Sequence, residues 1–142
     1  MYKKTVRGLS LLFAVLILMS TSAFAMDMRA STRIVSSSAI VKAGIDDNLW
    51  IYFSIDAVSI MDDIGASKIS IQRYNGSRWV TESTLTPTDT PEMQATNELR
   101  HSATIPYSPK YSGCSYQAVV TVYATNSSGT STKTVTSYPV TM

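Results

Sequence analysis

The 142-residue chain holds one cysteine and one histidine, and Asp, Glu, Lys and Arg together make up only 15% of it. A lone thiol, Cys114, has no internal partner, so a disulfide scaffold is excluded and the domain must be held by its apolar core. One cysteine and one histidine do not make the cluster that zinc requires. A serine or cysteine nucleophile would need His101 beside it and a carboxylate behind that histidine. The alternating run from Ser102 to Tyr107 instead places His101 at the start of a strand, as an ordinary surface residue. No Gly-x-Ser-x-Gly elbow, phosphate-cradling glycine loop or dinucleotide fingerprint occurs. These absences argue against an enzyme and against a bound cofactor. The length excludes a large multidomain protein, and no repeat of a solenoid or propeller is visible.

Long hydrophobic runs are also missing. The stretch Leu11 to Met19 has nine unbroken apolar residues, against the roughly 20 that a bilayer-spanning helix needs. Lys3, Lys4 and Arg7 precede it and Ala23-Phe24-Ala25 follows, which is the pattern of a cleaved signal peptide. Residues 1–25 are therefore expected to be removed between Ala25 and Met26, leaving residues 26–142 as one secreted domain. No cysteine follows the cleavage site, so lipid attachment there is not expected, and no membrane association is expected after cleavage. Residues 26–142 carry nine basic and ten acidic side chains, a net charge near −1. That balance favours neither nucleic acid nor an anionic membrane as a partner.

What remains is rich in strand formers. Ser and Thr account for 33 of the 117 residues after the leader, and Val, Ile and Tyr are plentiful. Leu49, Ile51, Phe53, Ile55 and Ala57 alternate with Trp50, Tyr52, Ser54 and Asp56, the period of a half-buried strand. Tyr116, Ala118, Val120, Val122 and Ala124 form a second such face. Ser67 to Tyr74 alternates around Ile69 and Ile71 and meets Asn75-Gly76, a two-residue hairpin signal; its partner strand is expected over Arg78 to Thr84. Weaker strands are expected over Thr32 to Ala43, Leu99 to Tyr107 and Thr130 to Val140. Turns are expected at Gly44 to Asn48, at Met61 to Gly65 with one helical turn, and along Thr86 to Asn97, where Pro87 and Pro91 discourage a central strand. Seven short strands without a helical period predict an all-β fold, a single immunoglobulin-like or fibronectin III-like antiparallel β-sandwich.

Two resemblances accompany this reading. Val122-x-Ala124-x-Asn126-x-x-Gly129-x-Ser131 resembles the sixth strand and following turn of fibronectin type III domains. That family usually has a tyrosine where Ala118 stands, whereas here Tyr116 lies two residues earlier on the same face. The family's buried tryptophan would fall near Phe53. Met61 to Ile69, then Ile71, Tyr74, Gly76 and Trp79, then Ala118 to Ala124, look like a group of small exported proteins of Gram-positive bacteria. That resemblance implies export and the fold, and it implies no catalytic residue.

The candidate binding residues are aromatic. A two-residue turn at Asn75-Gly76 pairs Gln72 with Trp79 and places Trp79 on the face of Tyr74, away from Ile69 and Ile71. Tyr123 also faces away from Val122 and Ala124. If those strands are neighbours, Tyr74, Trp79 and Tyr123 form an exposed patch that marks a ligand-binding surface; a longer loop would turn Trp79 into the core instead. Trp50 and Tyr52 are expected to pack beneath a loop, because their strand is central. Asp56, Asp62 and Asp63 lie near one strand end and raise the question of a calcium ion, but they fit no calcium-loop template and also suit turns. The expected function is an exported, non-catalytic interaction module for an extracellular polysaccharide or protein. The alternatives are a self-assembling structural protein that pairs its β-edges, and an inhibitor of a hydrolase presenting the Pro87 to Asn97 loop.

Overall fold

The computed structural model describes residues 33–142, which form strands joined by turns, with no α-helix among the described residues. The expected signal peptide and its cleavage between Ala25 and Met26 lie outside the described residues. The strands are β1 (Ile34–Ala43), β2 (Leu49–Tyr74), β3 (Trp79–Leu85), β4 (Gln94–Tyr107), β5 (Ser115–Asn126), β6 (Gly129–Thr136) and β7 (Val140–Thr141). All seven belong to one hydrogen-bonded antiparallel sheet.

β2 organises that sheet. Its first half pairs with β1 on one side and β4 on the other. Its second half pairs with β3 and β5, and β5 continues to β6 and β7. The turn expected at Met61 to Gly65, with its helical turn, does not form. The backbone stays extended and absorbs the excess length in two register irregularities, between Asp56 and Met61 against β4 and between Ala66 and Lys68 against β5. Bulges of this kind bend a strand and increase its twist, so one 26-residue strand serves both halves of the sheet.

The sheet curls until β1 comes against β5 and β6. Arg33 spans that closure, donating from Nε to Asn126 Oδ1 at 3.0 Å and lying 3.4 Å from Ser131 Oγ. The concave side is the core. Leu49, Ile51, Phe53 and Ile55 on the first half of β2 are fully buried with Ile64, Ile69, Val120 and Val122 from the second half and β5. The alternation of apolar side chains along Leu49–Ala57 and Tyr116–Ala124 thus has its expected result on both strands.

The stretch between β3 and β4 is shorter than the expected loop, because β4 begins at Gln94. A single 3-10 turn over Pro91–Met93 drops Met93 fully into the core. Gly65 lies directly beneath it: a Cβ on Gly65 would sit 2.7 Å from Gln94 Cα, so only glycine admits this close approach.

One end of the core is polar. Glu82, at the irregularity that breaks the β2–β3 register, turns inward until its side chain is 4% exposed. Its Oε2 accepts from the Tyr107 hydroxyl at 2.6 Å, and its Oε1 lies 3.1 Å from the Tyr116 hydroxyl and 3.6 Å from Arg73 Nε. The Tyr116 hydroxyl also lies 2.9 Å from the carbonyl of Tyr111 and accepts that residue's N–H at 3.3 Å. The Arg73 guanidinium rests 4.2 Å over the Tyr111 ring. Burial, reinforced by the neighbouring carboxylate, holds the Tyr107 phenol well above its ordinary value. Burial also dominates at Tyr116, which is pushed up to about 12 although the bond to Tyr111 works the other way.

Candidate functional site

Because side chains alternate along a strand, burying Leu49, Ile51, Phe53 and Ile55 turns Trp50, Tyr52, Ser54 and Asp56 outward. The cross-strand register sets their neighbours. Lys42 and Pro106 flank Trp50; Ile40 and Thr104 flank Tyr52; Ser38 and Ser102 flank Ser54; Ser36 and Arg100 flank Asp56. The convex face of β1–β2–β4 is thus graded from aromatic to hydroxylic to charged along about 20 Å of strand. Trp50 is 43% exposed, Tyr52 36% and Ile40 43%. The expectation that Trp50 and Tyr52 pack beneath a loop is therefore corrected. Their strand is central within the sheet, but among the described residues the sheet has only one covered side here.

Two depressions run along this face and share Tyr52. One, of about 300 Å³, is walled by Ile40, Trp50 and Tyr52. The other, of about 520 Å³, extends past Ser54 and Asp56 to Arg100 and Ser102. The polar end is pre-arranged: Ser36 Oγ donates to Asp56 Oδ2 at 2.6 Å, Arg100 Nε stands 3.5 Å from Asp56 Oδ1, and the Ser38 and Ser54 hydroxyls are 2.7 Å apart. The indole of Trp50 packs on the β1–β2 turn, where a Cβ on Gly44 would come within 2.6 Å of Trp50 Nε1. Glycine there leaves room for the ring.

The sequence-predicted residues divide. Tyr74 and Trp79 meet directly, as cross-strand partners with ring centroids 5.4 Å apart. The expected pairing of Gln72 with Trp79 is wrong, and the turn chemistry gives the reason. Asn75 Oδ1 accepts the N–H groups of Ser77 and Arg78, and Asn75 N–H donates to the Arg78 carbonyl, so the loop takes four residues rather than two. Trp79 is half-buried against Tyr74, which is itself exposed. Tyr123 does not join them. It pairs with Gly65, nine residues from Tyr74, or roughly 30 Å along β2, and its hydroxyl donates to Gln94 Oε1 at 3.3 Å. Burial, then the Asp63 charge, raises the Tyr123 phenol.

His101 lies within β4 rather than at its start. Its ring stands edge-on to Phe53 at 5.7 Å, with Nε2 2.7 Å from the Glu92 carbonyl. Asp56 is engaged by Ser36 and Arg100, and no group of three or more His, Cys, Asp or Glu among the described residues is placed to hold a metal ion. No helix among the described residues is long and apolar enough to cross a membrane.

No family model matches the chain, and no curated protein matches it. Among solved structures it is similar to the solution structure of a protein described as late embryogenesis abundant (LEA), at 15% identity, over 98% of this chain and 88% of that one, with a TM-score of 0.49.

Proposed function

We propose that this chain is an exported, non-catalytic binding module that engages an extracellular polysaccharide or protein through the convex face of β1–β2–β4. One observation carries the reading: Trp50 and Tyr52 stand exposed side by side on a strand whose other face supplies the core. Folding gains little from them there, and clustered exposed aromatics commonly mark interaction surfaces. The basic start, short apolar run and Ala-x-Ala site of residues 1–25 support secretion.

The sandwich belongs to this reading too. Strands β1, β2 (first half) and β4 make one layer, and β3, β2 (second half), β5, β6 and β7 make the other. This is an immunoglobulin-like arrangement of the fibronectin III kind in which one bent strand does the work of two. Tyr116 supports it: a tyrosine near the start of a strand, bonded through its hydroxyl to backbone five residues upstream, resembles the tyrosine corner of such domains.

The test is binding of the labelled protein to cells of the producing organism. Trp50→Ala should weaken binding about tenfold or more and Trp79→Ala should leave it intact, with both variants folded. Loss on Trp79→Ala alone would place the surface on the β2–β3 hairpin and end the reading. A second reading has its own observation. Among the described residues β4 pairs with β2 alone, which leaves the other edge of this 14-residue strand without a strand partner there, the feature through which strands add to one another. Self-assembly by that edge predicts a mass that rises with concentration and a Ser102→Pro variant that stays monomeric.

A further inference from the structure

Resting on that reading of the face, we infer that its ligand is an uncharged glycan chain lying along β2, with sugar rings on Trp50 and Tyr52 and the chain continuing toward Asp56. Three features of the surface select this chemistry.

The first is the alternation of ring and hydroxyl. A pyranose presents an apolar face of C–H groups and a rim of hydroxyls, so it needs flat apolar platforms beside groups that both donate and accept. Trp50 and Tyr52, both partly exposed, offer the platforms. Ser38, Ser54, Ser102 and Thr104 supply four hydroxyls next to them in the same register, and each hydroxyl donates once and accepts twice. The Ser38–Ser54 contact uses only one proton, leaving the other for a ligand.

The second feature is the charge. The two depressions carry Lys42, Arg100, Asp56 and Glu98, so the charges balance, and Arg100 and Asp56 already stand 3.5 Å apart as a pair. An anionic polysaccharide or a membrane surface would call for several unpaired cations, which this face lacks. A held carboxylate beside a guanidinium instead suits neutral hydroxyls, one accepting from them and the other donating to them.

The third is the shape. Tyr52 lines both depressions, so the two follow one another along the strand as an interrupted trough. A trough of that form admits an extended chain of several sugars more readily than a compact small molecule, which seeks an enclosed cavity.

The experiment uses protein produced from the full-length gene. It is applied to immobilised uncharged polysaccharides (cellulose, curdlan, mannan, starch), to charged ones (hyaluronan, heparin) and to the organism's own cell wall before and after periodate oxidation. The inference predicts retention on at least one uncharged matrix or on the untreated wall. That retention should be lost after periodate, competed by soluble oligomers of the same sugar, and insensitive to salt up to about 0.5 M. Trp50→Ala and Tyr52→Ala should each weaken it about tenfold or more, with an unchanged thermal midpoint showing that both variants are folded. Trp79→Ala should bind as wild type. Retention that depends on Trp50 but survives periodate and is destroyed by protease would overturn the glycan while leaving the binding face standing. Retention only on charged matrices that fades with salt would do the same. Absence of any Trp50-dependent retention, on every matrix and on cells, would overturn both.

Discussion

The buried side chain of Glu82 gathers two tyrosine hydroxyls and the Arg73 guanidinium, and at its rim the exposed Lys110 N–H reaches it at 3.3 Å. Truncating it strands those donors in a buried site, so Glu82→Ala should cost about 3–5 kcal/mol in denaturant unfolding. Tyr116→Phe removes one neutral partner and should cost about 1–3 kcal/mol. The same cluster fixes the alkaline limit. An unfolded tyrosine ionises near pH 10, whereas Tyr107 and Tyr116 in the fold ionise later, so the stability they contribute is intact below about pH 10 and lost as pH rises through their folded values. Thermal unfolding followed from about pH 9 to about pH 12 should show a falling midpoint, and Tyr116→Phe should make that fall shallower. Tyr116 was legible in the sequence as a core position, because it begins a five-residue alternating face. The partner of its hydroxyl was not legible, since only the irregularity at Glu82 turns that carboxylate inward, and nothing local marks it.

Among the elements, β2 shows where sequence reasoning holds and where it gives out. Period-two alternation over Leu49–Ala57 is a strong signal, because a one-residue slip would expose every apolar side chain. Met61-Asp62-Asp63-Ile64-Gly65 carries turn-forming residues, yet pairing on both flanks keeps it extended and spends its extra length in bulges. Local propensity loses there to tertiary hydrogen bonding. The hairpin register failed for a different cause: Asn75 captures two backbone N–H groups and lengthens the loop, and the sequence Asn-Gly does not distinguish that from a two-residue turn. The candidate site followed from the alternation that was read, and its exposure did not, because whether a central strand is covered on its second face is a property of the whole sheet. Two outcomes test this description. Ile64, fully buried in the bend, should cost about 2–5 kcal/mol on truncation to alanine. In amide exchange, the β2 stretches paired on both sides should be slowest and the open edge of β4 fastest.

At the scale of the molecule, a single apolar core joins the two halves of the curled sheet, with Phe53 and Ile55 of one half buried alongside Ile69 and Val120 of the other. Such a core should unfold in one cooperative step, with coincident transitions by fluorescence and circular dichroism. The convex side of β1–β2–β4 takes no part in that core, which leaves its aromatics exposed for the proposed ligand. The most direct measurement of that claim is iodide quenching of Trp50, in a protein whose Trp79 is replaced by phenylalanine, before and after binding to the organism's cell wall. Trp50 should be readily quenched when free and shielded when bound, while a Trp50→Phe protein reporting on Trp79 should show no change on binding. A Trp50 that is shielded in the free protein, or that stays equally quenchable on the wall, would contradict the account.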